Sequence, residues 1–110
     1  MTDANVDLLQ GTLDLLILKA LALGPLHGWA IAKRIQQMSR DVLTVNQGSL
    51  YPALYRLEDR GLVASEQRLS PEGRRITVYR HTAAGRRQLA QKIDAWETFA
   101  AAMRRVIGHA

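Results

Sequence analysis

One stretch of alternating sequence in the second half of the chain interrupts segments that otherwise follow a helical period. Ile76 and Val78 alternate there with less apolar neighbours, and Ser70-Pro71-Glu72-Gly73 has serine, proline and glycine where a type I turn prefers them. The pattern predicts a β-hairpin with strands over Leu62–Leu69 and Arg74–His81. A single hairpin among helices indicates a mainly α fold with a small β element.

Three helical segments precede the hairpin. Leucine and isoleucine recur at helical spacing over Leu8–Leu23 until Gly24-Pro25 ends the pattern, and a second helix is predicted over Gly28–Ser39. A third follows Asn46, a suitable N-cap, and ends before Gly61, which can adopt the left-handed conformation that closes a helix. Since the first helix is apolar over most of its circumference, it must be covered on more than one side, by its own domain or by a second subunit.

The third helix has an inner stripe and one irregularity. Leu50, Leu54 and Leu57 recur on one face, which we expect to point into the core. Pro52 lies inside the helix, where it lacks a backbone hydrogen bond and bends the first two turns. This cost disappears if the helix begins one or two residues after Gln47.

A long alanine-rich helix closes the chain, with Thr82 as its predicted N-cap and Ile107 near its end. Its apolar residues are spaced as a heptad seam: Leu89, Ile93, Trp96, Ala100, Met103 and Ile107. At a rise of ~1.5 Å per residue this helix is longer than the rest of so small a domain can cover. We expect it to pair with a second chain, aided by Leu9, Leu13 and Leu16 of the first helix; folding back on its own core is the alternative.

Three helices, a hairpin and a closing helix form the order of a winged helix-turn-helix protein. We therefore predict a DNA-binding domain over residues 1–81 and a C-terminal dimerisation helix over residues 82–110. In this arrangement the third helix lies in the major groove, and the hairpin reaches the backbone or the minor groove. A dimer of this kind would bind a pseudo-palindromic operator in double-stranded DNA.

The distribution of charge agrees with this fold. Residues 33–92 hold twelve basic and five acidic side chains, a net charge of +7, whereas residues 1–32 carry −2. Arginine predominates, and its planar fork suits phosphate and guanine. A genome that favours arginine codons is the alternative, but it does not explain why the bases concentrate in one segment. The predicted DNA-binding residues are Lys33, Gln47, Ser49, Tyr51, Tyr55, Arg56, Arg74, Arg75 and Arg80.

Each predicted contact has a simpler structural alternative. Gln47 suits adenine, and Tyr51 and Tyr55 suit phosphate or the thymine methyl group, but the tyrosines would equally fill gaps between the third helix and the hairpin. Arg56 suits guanine or phosphate, or pairs with a neighbouring acid, Glu58 or Asp59, on the surface. The hairpin is named the wing below. We expect its arginines to contact phosphates or a narrow minor groove; the alternative is that the wing is a solvated basic loop.

Four segments, residues 9–16, 24–29, 46–58 and 79–85, resemble the PadR family of bacterial transcriptional regulators, and Gly48-Ser49-Leu50-Tyr51-Pro52-Ala53-Leu54 is the most specific of these motifs. The resemblance implies a homodimeric winged-helix repressor, often of a detoxification, transport or stress gene near its own. The single C-terminal helix is similar to that of the smaller members. His81 departs from the pattern, because an aliphatic residue is usual before the Thr-x-x-Gly motif.

The sequence favours no catalysis and no cofactor. Without cysteine there is no disulfide, thiolate zinc site or cysteine nucleophile, which fits a reducing cytoplasm. His27, His81 and His109 have no second ligand at metal spacing. The acidic start does not resemble a signal peptide, and the longest apolar stretch, residues 13–23, is too short to span a membrane.

Two other functions remain open at this point. The basic face could bind an acidic protein, which would make the chain a winged-helix interaction module. Alternatively the chain is a small-molecule-binding dimer with secondary DNA binding, since Trp96 and Phe99 supply aromatic walls for an effector pocket. Trp96 would equally serve as the core of the dimer interface.

Overall fold

The computed structural model describes residues 12–109, which form four α-helices and a small antiparallel sheet. The helices are α1 (residues 12–20, followed by a 3-10 turn Leu21–Leu23), α2 (Gly28–Met38), α3 (Gln47–Asp59) and α4 (Ala83–Gly108), and the strands are β1 (Leu26–His27), β2 (Val63–Leu69) and β3 (Arg75–His81). This confirms the mainly α, winged fold class. The predicted helix start at Leu8 and the predicted dimer residue Leu9 lie outside the described residues.

The core lies where α1, α2 and α3 meet. The predicted inner stripe of α3 is confirmed, since Leu50, Leu54 and Leu57 are all 0% exposed. They pack with the apolar residues of the other two helices, among them Ile17, Leu18, Leu21, Ile31 and Ile35. Complete burial of such side chains contributes roughly 1.5–3 kcal/mol each, so this cluster fixes how α3 sits on the domain.

Local signals set both ends of α3. The side chain of Asn46 accepts a hydrogen bond from the N–H of Ser49 at 2.9 Å, and the helix begins at Gln47. At the other end Gly61 has φ +74°, and the N–H of Leu62 donates to the carbonyl of Leu57, which satisfies the last turn. The alternative in which α3 begins one or two residues after Gln47 is thus wrong. Pro52 lies inside α3, as predicted.

The wing has the predicted turn. The N–H of Gly73 donates to the carbonyl of Ser70 at 2.9 Å, and Gly73 has φ +83°. The ladder of β2 and β3 runs from Val63 opposite His81 to Leu69 opposite Arg75. The sequence did not predict β1, a two-residue strand that pairs with β3 and makes the sheet three-stranded.

The start of α4 is joined tightly to the end of α3. The hydroxyl of Thr82 accepts a hydrogen bond from the N–H of Gly85 and donates one to the carbonyl of Gly61, so the predicted cap is confirmed. The N–H of Thr82 also donates to the carbonyl of Leu62 at 3.1 Å. These bonds connect the helical core, the wing and α4 at one point.

His81, the departure from the family pattern, lies at this same junction. Its Nδ1 is buried and has no hydrogen-bond partner within residues 12–109. Burial, and to a smaller extent the charge of Arg86, lowers the pKa of its imidazole. The neutral ring therefore fills the position that an aliphatic side chain would occupy, and the strand pairing at the base of the wing is kept.

The two ends of α4 differ in what covers them. Leu89 is 8% exposed and belongs to the core, and Ile93 packs partly against it. Farther along, a face of α4 is left uncovered by the described part of its own chain: Trp96, Phe99, Met103, Val106 and Ile107 are 44–73% exposed. The helix projects from a molecule that measures 59 × 29 × 21 Å, so the alternative in which it folds back on its core is wrong.

Two of the predicted dimer residues belong to the core of their own chain. Leu13 is 2% and Leu89 is 8% exposed, because both are buried by their own chain and leave almost no surface for a partner. Leu16 is half-buried against the same core.

Among the described helices, none combines the length and the apolar character needed to cross a bilayer.

Candidate nucleic-acid interface

One side of α3 faces α2 and the wing. Tyr55 is 55% exposed and Gln47 is exposed, as expected of groove-reading side chains. Tyr51 is half-buried, and its ring lies so close to Gly28 of α2 that a Cβ there would collide with it. Tyr51 thus fills a gap, as the alternative interpretation of the two tyrosines expects, but this gap lies between α3 and α2.

The same side of α3 is connected to the sheet. Glu58 accepts a hydrogen bond from the hydroxyl of Ser65 in β2 at 2.6 Å. Burial raises the pKa of Tyr79 in β3, with smaller contributions from Tyr55, Glu58 and Tyr51. The two strands of the wing therefore lie beside this side of α3.

The opposite side of α3 faces α1. Arg56 donates from Nη2 to Oδ1 of Asp14 at 3.1 Å, so its ion-pair partner is in α1 and is neither Glu58 nor Asp59. A groove of about 300 Å³ separates the two helices, lined by Leu13, Gly48, Ser49, Pro52 and Arg56. Ser49 and Arg56, predicted to bind DNA, thus lie on a different side of the helix from Tyr51 and Tyr55.

The first turns of α2 add an exposed aromatic residue that the sequence reasoning missed. Trp29 is 53% exposed, and the Nζ of Lys33 lies 4.9 Å from its ring centroid. The ring centroid of His27 lies 6.0 Å from that of Trp29. A large aromatic residue one turn before a lysine, on the polar side of an amphipathic helix, was the signal available in the sequence.

The two faces of the wing carry different side chains, because cross-strand partners share a face. On the face that contacts α3, Gln67 donates to Thr77 at 2.9 Å, and the next pair at the tip is Leu69 with Arg75. On the other face Glu66 accepts from Arg68 at 2.8 Å and lies 4.0 Å from Arg80.

Pairing separates the arginines of the wing into two groups. The hydrogen bond from Arg68, its charge and that of Arg80 lower the pKa of the Glu66 carboxyl, so Glu66 is ionised at neutral pH and offsets one of the two positive charges. Arg74 and Arg75, at the exposed tip, make no ion pair with any residue from 12 to 109. The two arginines of the wing that lack an ion-pair partner among these residues are therefore at its tip, next to the turn that also holds Glu72.

A helical core with a capped third helix, a hairpin beside that helix and a projecting last helix defines a winged helix-turn-helix regulator. Residues 17–91 match the transcriptional regulator PadR-like family, and the chain belongs to this family. The membership confirms the resemblance seen in the four sequence motifs. It also confirms that the chain is a regulator and not an enzyme, since the family and its structural neighbours are transcriptional regulators.

Related proteins agree in sequence and in fold. A transcriptional regulator of Mycobacterium tuberculosis is 47% identical over 73 residues, which are 66% of this chain and 64% of that protein. A transcriptional regulator of Clostridium thermocellum superposes with a TM-score of 0.82 at 29% identity, covering 90% of this chain and 93% of its own. A PadR family regulator of Eggerthella lenta superposes equally well, with a TM-score of 0.82 at 27% identity, covering 99% and 93%.

Proposed function

We propose that this protein is a sequence-specific DNA-binding repressor that acts in the cytoplasm as a homodimer on a pseudo-palindromic operator. The observation that carries the proposal is the pair Arg74 and Arg75, the two wing-tip arginines without an acidic partner in the described chain. Arginine side chains without an ion-pair partner, beside an exposed helix, suit a phosphate backbone. Residues 1–81 would bind DNA, and residues 82–110 would hold the dimer together.

The contacts divide between reading and positioning. Gln47, Ser49 and Tyr55 would approach base edges in the major groove, because they lie on or beside the exposed surface of α3. Lys33 and the indole N–H of Trp29 would donate to phosphates flanking the groove. Arg74 and Arg75 would meet phosphates or a narrow minor groove.

The wing provides the test. Arg74→Ala with Arg75→Ala should weaken binding to operator and to unrelated duplexes by similar factors, because phosphate contacts do not read sequence. The slope of log K against log salt should become shallower by about 0.9 for each phosphate that the variant no longer neutralises. Fluorescence anisotropy on a duplex selected from a random pool, at several salt concentrations, measures both quantities.

Arg68→Ala with Arg80→Ala is the matched control. It removes the same charge from the same hairpin, but from side chains that pair with Glu66 on the other face, so this proposal assigns no phosphate to Arg80 although the sequence predicts one. We expect a smaller loss of affinity and no change in slope. If the parent protein shows no salt-dependent duplex binding, an acidic protein replaces DNA as the proposed partner. If the two double variants have the same affinity and the same salt slope, the wing tip makes no DNA contact of its own.

A second candidate function is control by a small molecule. Trp96 and Phe99 are 45% and 49% exposed with ring centroids 6.0 Å apart, and pairing of two α4 helices would make them the walls of an apolar site. A planar aromatic dye should then quench tryptophan emission and release the operator, and Trp96→Ala should abolish both effects. Quenching that persists in Trp96→Ala would place the dye elsewhere, for instance at Trp29.

A further inference from the structure

Arg56 is of a residue type that often binds DNA, but in the structure its side chain pairs with an acidic residue of its own chain. Its guanidinium reaches across the groove to Asp14, a residue 42 positions earlier in the chain, and donates a 3.1 Å hydrogen bond. The side chain of Asp14 is only 14% exposed, whereas that of Arg56 is 54% exposed. An arginine that gave up this bond for a phosphate would leave a largely buried carboxylate without its cation, which is unfavourable.

The position of the bond along α3 adds to this argument. Pro52 has no N–H, so the carbonyl of Gly48 lacks its partner within the helix and the first turns of α3 are weakened. These turns carry Gln47 and the groove-lining Ser49. Arg56 lies one turn beyond Pro52, and its bond to α1 holds the helix on the side where the backbone ladder is interrupted.

We propose that Asp14 and Arg56 form a clamp that positions α3 for operator reading, so that Arg56 is a positioning residue and does not itself bind DNA. The proposal rests on the DNA-binding function above and adds a role for α1 in specificity. The clamp fixes the angle at which α3 leaves the domain. Loss of the clamp through Asp14→Asn leaves the charge and the outer surface of α3 in place but allows the reading end of the helix to shift.

The two roles of Arg56 predict opposite results for Asp14→Asn. If Arg56 binds phosphate, removal of the neighbouring negative charge frees the guanidinium and strengthens DNA binding. If the clamp positions α3, Asp14→Asn should weaken operator binding roughly tenfold, as expected when a hydrogen bond to a charged group is removed. Affinity for unrelated duplexes should stay the same, because only the alignment of α3 with base edges is disturbed.

Arg56→Gln completes the comparison. The clamp predicts the same roughly tenfold loss as for Asp14→Asn, and no further loss in the double variant, because the two side chains act through one interaction. Exchange of the pair, Asp14→Arg with Arg56→Asp, should restore part of the operator affinity. Phosphate binding by Arg56 predicts instead that Arg56→Gln weakens all duplexes and makes the salt slope shallower by about 0.9 per phosphate.

Asp59→Asn is the matched control, because Asp59 is exposed on the same helix and makes no ion pair with residues 12–109. It should leave the ratio of operator to non-specific affinity unchanged. All variants are compared as full-length protein below the onset of their thermal unfolding. Operator affinity that is unchanged or higher in Asp14→Asn overturns the clamp, whereas absence of operator binding by the parent protein overturns the proposed function itself.

Discussion

Phe99→Glu together with Met103→Glu is expected to convert the proposed homodimer to a monomer and to lower operator affinity by two orders of magnitude or more. Both side chains are about half exposed on the uncovered face of α4, so glutamate there leaves the core of the protomer intact. In a dimer the four carboxylates would be brought together in an apolar interface, which is strongly unfavourable. Loss of simultaneous binding to two half-sites costs about 10²–10⁴ in affinity.

Sedimentation velocity measures the oligomeric state, and anisotropy measures the affinity for a full operator and for a half-site. Gln91→Glu with Thr98→Glu is the control, since it adds the same charge to exposed positions on the other side of α4. It should remain dimeric. A dimer that persists in the Phe99 and Met103 variant would show that another surface joins the subunits, whereas unchanged affinity for the half-site confirms that each monomer is still folded.

The choice of positions depends on the tertiary structure. The heptad seam makes Ile93 as attractive a target as Met103, but Ile93 packs partly against the core of its own chain. Glutamate at Ile93 would confuse unfolding with dissociation. The spacing of apolar residues indicates that one face of a helix is buried, but it does not indicate whether the same chain or a second chain buries it.

Signals that act within a few residues were sufficient to predict the framework. Asn46 and Thr82 cap their helices as expected, and Gly61 and the Ser70–Gly73 turn adopt the conformations that their residue types favour. In each case the hydrogen bonds that select the conformation join neighbours in sequence. These local signals predicted the order of the helices and the hairpin, and that order predicted the winged-helix fold.

The features that the sequence did not predict depend on contacts between distant segments of the chain. No local pattern links Arg56 to Asp14, and both Glu58 and Asp59 are nearer in sequence. Tyr51 lies on the outer half of α3 by period alone, but the absence of a side chain at Gly28 lets its ring settle against α2. The two residues of β1 are too few to show alternation, so only their pairing with β3 reveals a strand.

Gly85→Ala is expected to cause a large loss of stability. Glycine to alanine inside a helix normally stabilises by up to about 1 kcal/mol. Here a Cβ would collide with the carbonyl oxygen of Leu62 and come within 3.2 Å of Cβ of His81. The oxygen belongs to the backbone and already accepts the N–H of Thr82, so it cannot turn aside without breaking the junction.

The collision should cost about 3 kcal/mol or more, the upper range for overpacking, and lower Tm by roughly 12 °C or more. Gly108→Ala is the control, because it makes the same change in the same helix where a Cβ meets no atom within 4 Å. It should leave Tm unchanged or slightly raised. Thermal unfolding by circular dichroism at equal protein concentration compares the two variants. Equal Tm values for Gly85→Ala and the parent would mean that α4 can tilt away from Leu62, and that the junction of core, wing and α4 is a flexible hinge instead of a fixed joint.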